Sequence, residues 1–140
     1  MALPRINRNF FIVIDSDRSA PGKRINATKR RVKSQIEAGP ESTDYWVTAG
    51  YTIENYVPPA ILDEAVSNVH PRARCTWNGD RYVDPLASAQ IVGRRAVVDK
   101  TAIARAAVSS WADMTWDLDL KKQVRRLVRH IERANESYQL

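Results

Sequence analysis

The run Asn9-Phe10-Phe11-Ile12-Val13-Ile14 constrains the fold more than any other stretch of the chain. It is short, β-branched and aromatic, and it lacks polar alternation. That pattern belongs to a strand buried on both faces, as in a parallel sheet. Parallel neighbours need a crossover, and the following residues read as one. Residues 18–24, RSAPGKR, read as a loop with Pro-Gly as its turn signal. Asn26 caps a helix running to about Ala38, with Ile25, Val32 and Ile36 on helical spacing and Gly39-Pro40 as its stop. Tyr45 to Thr48 read as the second strand.

Residues 59–69 read as a short helix with Ile61, Leu62, Ala65 and Val66 facing inward. Residues 70–85 are polar and turn-rich. A further helix runs from Lys100 to about Asp113, capped by Asp99, with Ile103, Ala106, Ala107 and Trp111 on one face. The last helix, about 117–135, has an apolar stripe of Leu120, Val124, Leu127, Val128 and Ile131. Asp117 and Asp119 complement its positive end, and Arg129 and Arg133 its negative end. This order predicts an α/β fold, a parallel sheet with flanking helices and a helical C-terminus. Residues 1–140 then form one domain, with 114–140 as a basic amphipathic helix.

Lys and Arg number 22 against 16 Asp and Glu, a formal charge of +6, which favours an anionic partner. The lone Cys75 excludes an internal disulfide, and no zinc-ligand spacing occurs, so a reduced setting fits best. The start, MALPRINRNFF, lacks the apolar run of a secretory signal, and no stretch has transmembrane length. The expectation is a soluble, cytoplasmic protein without a membrane partner.

The first strand runs directly into Asp15-Ser16-Asp17-Arg18. Ligands of open α/β sheets bind outside the carboxyl ends of the strands, where these aspartates stand. If the extended conformation persists, Asp15 and Asp17 project the same way and repel each other. A divalent cation relieves that repulsion, and Mg²⁺ suits one or two carboxylates plus water and phosphate. The plainer alternative is a turn in which Asp17 bonds to nearby N–H groups. The local pattern also matches the nucleophile motif of dehalogenase-like phosphatases. Their later acidic pair is poorly matched here by Asp113, Asp117 and Asp119. Nucleotide-sugar transferases with an Asp-x-Asp are usually much longer.

The segment WVTAGYTIENYVPP, residues 46–59, adds a second motif in Ile53-Glu54-Asn55-Tyr56. Together with FFIVIDSDR it resembles the C-terminal TOPRIM-like nuclease region of OLD-family and related AAA/ABC-type ATPase proteins. The resemblance spans residues 8–66 and, more loosely, 95–112. It implies a TOPRIM-like, Rossmann-like sheet and metal-dependent hydrolysis of DNA, and places such proteins in anti-phage defence. It further implies that Asp15, Asp17 and Glu54 hold one or two Mg²⁺ or Mn²⁺ ions, and that Lys100 meets the scissile phosphate. On the residues alone, Glu54 also reads as a helix cap, Lys100 as a surface lysine, and Asn55 and Tyr56 as structural. The family pattern begins with a strand ending in glutamate, whereas MALPRINRN carries no acid, and no phosphate-loop motif occurs. The resemblance therefore implies a fold incomplete at the N-terminus, the C-terminal piece of a larger nuclease. Its partner would be an ATPase domain or subunit absent from this chain, and an oligomer is compatible. A non-catalytic DNA-binding or assembly module that keeps the fold is the alternative.

Arg18, Lys23, Arg24, Lys29, Arg30, Arg31 and Lys33 follow the aspartates with no acid among them. They suit sequence-independent contacts to a nucleic-acid backbone, or form a solvated helix face. The last helix adds Lys121, Lys122, Arg125, Arg126, Arg129 and Arg133. Trp46, Trp111 and Trp116 read as packing residues, and Trp77 as the one candidate for base stacking. His70 and His130 carry no ligand spacing.

Overall fold

The computed structural model describes residues 9–39, 43–91, 94–95, 97–113 and 115–136. β1 (Phe10–Ile14) crosses through α1 (Ala27–Glu37) to β2 (Thr43–Val47), and the two strands pair in parallel, Phe10 opposite Thr43 and Ile14 opposite Val47. The Asn26 side chain accepts the Lys29 N–H at 2.9 Å and starts α1. At the other end, the Ala38 and Gly39 N–H groups donate to Ser34 and Ile36 and close the helix.

A 3₁₀ turn (Ile53–Tyr56) follows β2, then α2 (Pro59–Val69), β3 (Ala73–Cys75), a second 3₁₀ turn (Pro85–Ser88), β4 (Ala89–Ile91) and β5 (Arg94–Arg95). α3 (Lys100–Ser110) and α4 (Leu120–Glu136) complete the chain. β3, β4 and β5 form a separate antiparallel sheet, so the expected single parallel sheet is limited to β1 and β2. The physical reason lies in residues 70–91. His70 and Ala73 close a turn directly after α2, which leaves too little chain for a crossover.

The core follows this division. Leu62, Ala65 and Val66 of α2, Ala73 and Cys75 of β3, Trp77, Leu86, Ala89, and Ile103 and Ala107 of α3 pack together. Ile61 and Ala106 lie at its edge, as their helical spacing requires. Asp99 caps α3 through the Ala102 N–H at 3.0 Å, and its own N–H donates to His70 Nε2 at 3.1 Å. His70 thus joins the end of α2 to the start of α3.

Two expectations need correction. β1 is not buried on both faces: Val13 is exposed, because α1 and α4 cover the parallel pair only in part. The stripe of α4 is also rotated outward, with Val128 at 46 % and Ile131 at 49 % exposure. Gln123 and His130 are buried instead. His130 meets the Phe11 ring edge-on at 5.6 Å, and Arg126 donates to Asp44 at 2.6 Å and to the Tyr45 carbonyl at 3.0 Å. These partners on β1 and β2 set the helix rotation more strongly than the apolar stripe does.

The carboxyl ends of β1 and β2 are tied by buried polar groups. The Ser16 N–H donates to Thr48 Oγ1 at 2.9 Å, and both hydroxyls donate to the Gly50 carbonyl, at 2.6 and 2.8 Å. Asn55 extends the tie: its Oδ1 accepts the Thr52 N–H at 2.7 Å, and its Nδ2 donates to the Asp80 and Val83 carbonyls. Gly50 lies so close to Asn55 that a Cβ there would stand 2.4 Å from the Asn55 Cβ.

Leu62 is 1 % exposed in the middle of the core. Leu62→Ala is expected to lower unfolding free energy by about 2–5 kcal/mol, read as the midpoint shift in urea denaturation. Gly50→Ala forces Asn55 off its partners and is expected to lower stability by about 1–3 kcal/mol. An unchanged thermal midpoint for Gly50→Ala would show that the loop tie does not hold the two strand ends.

Candidate metal and phosphate site

Asp15 is the first residue beyond β1. Its Oδ1 accepts the Ile53 N–H at 2.9 Å, so the carboxylate sits at the amino end of the Ile53–Tyr56 turn. Burial raises its pKa above the ordinary carboxylate value. The Ile53 N–H opposes the rise, and the negative charge of Glu54 adds to it.

Glu54 lies in that turn and is paired with Lys100 Nζ at 3.1 Å, across 46 residues of sequence. Burial works against its charge. Bonds from the Thr52 hydroxyl and from its own N–H, together with Lys100, nevertheless hold its pKa below the ordinary value. For Lys100, burial opposes the charge, but the bond to Glu54 and the negative field of Glu54, Asp84 and Asp15 raise its pKa. Asp15, Glu54 and Lys100 therefore share one electrostatic neighbourhood at the carboxyl end of the parallel pair. Asp84 belongs to it as well, a residue that the sequence motifs did not single out. Its Oδ1 caps the Pro85–Ser88 turn through the Leu86 N–H at 3.0 Å, and Asp-Pro was its sequence signal.

Asp17 takes a different course. Its φ of 49° breaks the extended alternation that would line it up with Asp15. Its N–H donates to the Tyr51 carbonyl at 2.9 Å, and its carboxylate forms an ion pair with Lys29. Lys29 also donates to the Asp15 carbonyl oxygen at 2.6 Å. Among the described residues, no three Asp, Glu, His or Cys side chains stand together as a metal-binding group. The expected set of Asp15, Asp17 and Glu54 is thus not assembled as three ligands: Asp15 stands beside the turn that carries Glu54, and Asp17 is turned to Lys29.

The basic segment divides in the same manner. Lys29 serves Asp17, Lys33 pairs with Glu37 at 3.5 Å, and Lys23 donates to Ser19 at 2.9 Å. Arg24, Arg30 and Arg31 are exposed, and Arg18 is partly buried. Trp77 is buried and donates its Nε1–H to the Asp80 carbonyl at 2.9 Å, which removes it from base stacking. Tyr56 is structural: its hydroxyl accepts the Ala49 N–H at 2.7 Å and donates to Asp119 at 2.6 Å, and its ring meets Trp46 edge-on. Burial first, and then the Asp119 bond, push the Tyr56 pKa far up. The second Asp119 oxygen accepts from Gln123 at 2.7 Å, so this carboxylate anchors α4.

Among the described residues no helix is long and apolar enough to cross a membrane. No family model matches the chain, and neither the curated proteins nor the solved structures contain a match to it.

Proposed function

We propose that this chain is a Mg²⁺- or Mn²⁺-dependent phosphodiesterase domain acting on DNA, of the TOPRIM-like nuclease lineage that its motifs resemble. The observation that carries the reading is the Glu54–Lys100 pair in the turn whose Ile53 N–H bonds to Asp15, beyond the parallel strands. Asp15 and Glu54 would hold the ion. When bound, such an ion polarises the phosphate and lowers the pKa of a coordinated water. The Lys100 side chain is 56 % exposed while that of Glu54 is 18 % exposed, so the ammonium faces an incoming phosphate and the carboxylate stays behind it. Lys100 would neutralise charge that builds on the phosphate oxygens. The Asp15 pKa is raised and that of Glu54 lowered, so the charge of Asp15 is the more costly of the two in the empty site and the one that a bound ion would favour most. By the same resemblance, the domain would work beside an ATPase domain or subunit, in anti-phage defence.

A second reading has its own observation. Asp17 is committed to Lys29 rather than to Asp15 and Glu54. That supports a DNA-binding or assembly module that keeps the fold without the chemistry.

Plasmid nicking in Mn²⁺ separates the two. The hydrolytic reading expects nicking that falls by roughly 10²-fold or more in Asp15→Asn, Glu54→Gln and Lys100→Ala, with DNA binding retained. DNA binding without nicking under either metal would leave the module reading in place. The raised pKa of Asp15 adds a pH signature. The ion needs the charged carboxylate, so Mn²⁺ affinity should decline at a higher pH than an ordinary aspartate would dictate. In Asp15→Asn this part of the pH dependence should vanish, as measured by calorimetric titration of Mn²⁺.

A further inference from the structure

The β1–α1 loop, α1, β2 and α4 line an open, shallow cavity of about 390 Å³, beside the parallel pair. That volume lies in the range of small-ligand sites, roughly 300–1,000 Å³. Five cations line it: Arg18 and Arg24 from the loop, Arg30 and Lys33 from α1, and Arg126 from α4. Among the described residues no acidic side chain lines it. Two of the cations have counter-ions outside the cavity, Lys33 with Glu37 at 3.5 Å and Arg126 with Asp44 at 2.6 Å. Arg18, Arg24 and Arg30 form no ion pair among the described residues. The Arg18 Nε is buried without a hydrogen-bond partner. A buried donor without an acceptor carries a cost, and this one belongs to a residue that lines the cavity. The acceptor that suits several guanidinium groups at once is a phosphate, whose oxygens match the planar fork.

The charge state narrows the ligand. A polymer backbone spreads its charges along a line, one per phosphate. Three uncompensated guanidinium groups around a single concavity concentrate positive potential at one point, which favours a dianion. Ile25 and the Tyr45 ring supply an apolar wall beside it.

We infer that this pocket seats the phosphomonoester of a nucleotide, either the terminal phosphate of a nucleic-acid strand or that of a free nucleotide. It narrows the diffuse backbone contact expected of the basic segment to one defined seat. Because it uses none of Asp15, Glu54 and Lys100, it stands or falls apart from the hydrolytic site.

The test is fluorescence anisotropy with short single-stranded DNA carrying a 5′- or 3′-terminal phosphate or only hydroxyl ends, in EDTA so that no hydrolysis intervenes. The expected result is roughly tenfold tighter binding of one phosphorylated form. That preference should disappear in the Arg24→Gln/Arg30→Gln double variant, whose altered side chains are exposed and whose folding is checked by thermal melting. Arg18→Gln should remove it too. Arg105→Gln, exposed on α3 and outside the cavity, should keep it. Displacement by adenosine monophosphate identifies free nucleotides as the source of the phosphate, and failure to displace identifies strand ends. Equal affinity for phosphorylated and hydroxyl ends, a preference that survives the double variant, or one equally lost in Arg105→Gln would overturn the inference.

Discussion

The candidate site depends on the polar tie between Ser16, Thr48 and Gly50 at the carboxyl ends of β1 and β2. A two-stranded parallel pair has few ladder bonds of its own and is the weaker pairing mode per residue. Buried hydroxyls that satisfy both the Ser16 N–H and the Gly50 carbonyl fix how the chain leaves each strand. Asp15 and Asp17 flank Ser16, so the tie sets where both carboxylates begin. Asn55 holds the turn that carries Glu54 against the same loop. Gly50 allows that approach because it has no Cβ.

Electrostatics then gives each acidic residue a separate task. Asp17 is neutralised by Lys29, Asp119 by the hydrogen bonds that anchor α4, and Glu54 by a lysine that remains largely in solvent. Asp15 receives one backbone N–H and the field of Lys29, but the cost of burial outweighs them. The arginines of the β1–α1 loop and α1 present the complementary case of positive charge gathered without fixed counter-ions.

Much of the local structure was legible along the chain. Asn26 and Asp99 cap their helices because short polar side chains before a helix accept its free N–H groups. Residues 59–69 form α2 with Leu62, Ala65 and Val66 buried, since their spacing covers one helical face. Asn55 and Tyr56 were readable as structural. The antiparallel sheet was hidden because three-residue strands carry too little alternation to register. Gln123, Arg126 and His130 form the docking face of α4, although the apolar stripe pointed elsewhere, because aromatic and carboxylate partners from distant strands decided the rotation.

Although α3 stops at Ser110 rather than near Asp113 and α4 starts at Leu120 rather than near 117, the sequence by itself determined the β1–α1–β2 order, the bounds of α1 and α2 and the placement of carboxylates at a strand end. These follow from side-chain period, capping and turn chemistry, which act over a few residues. Only the tertiary structure decided that Asp15 accepts the Ile53 N–H beside the Glu54–Lys100 pair while Asp17 turns to Lys29. It also decided that three arginines without an ion pair among the described residues line one cavity. Those outcomes depend on a left-handed φ at Asp17 and on charges meeting across 46 residues between Glu54 and Lys100, which no local pattern records.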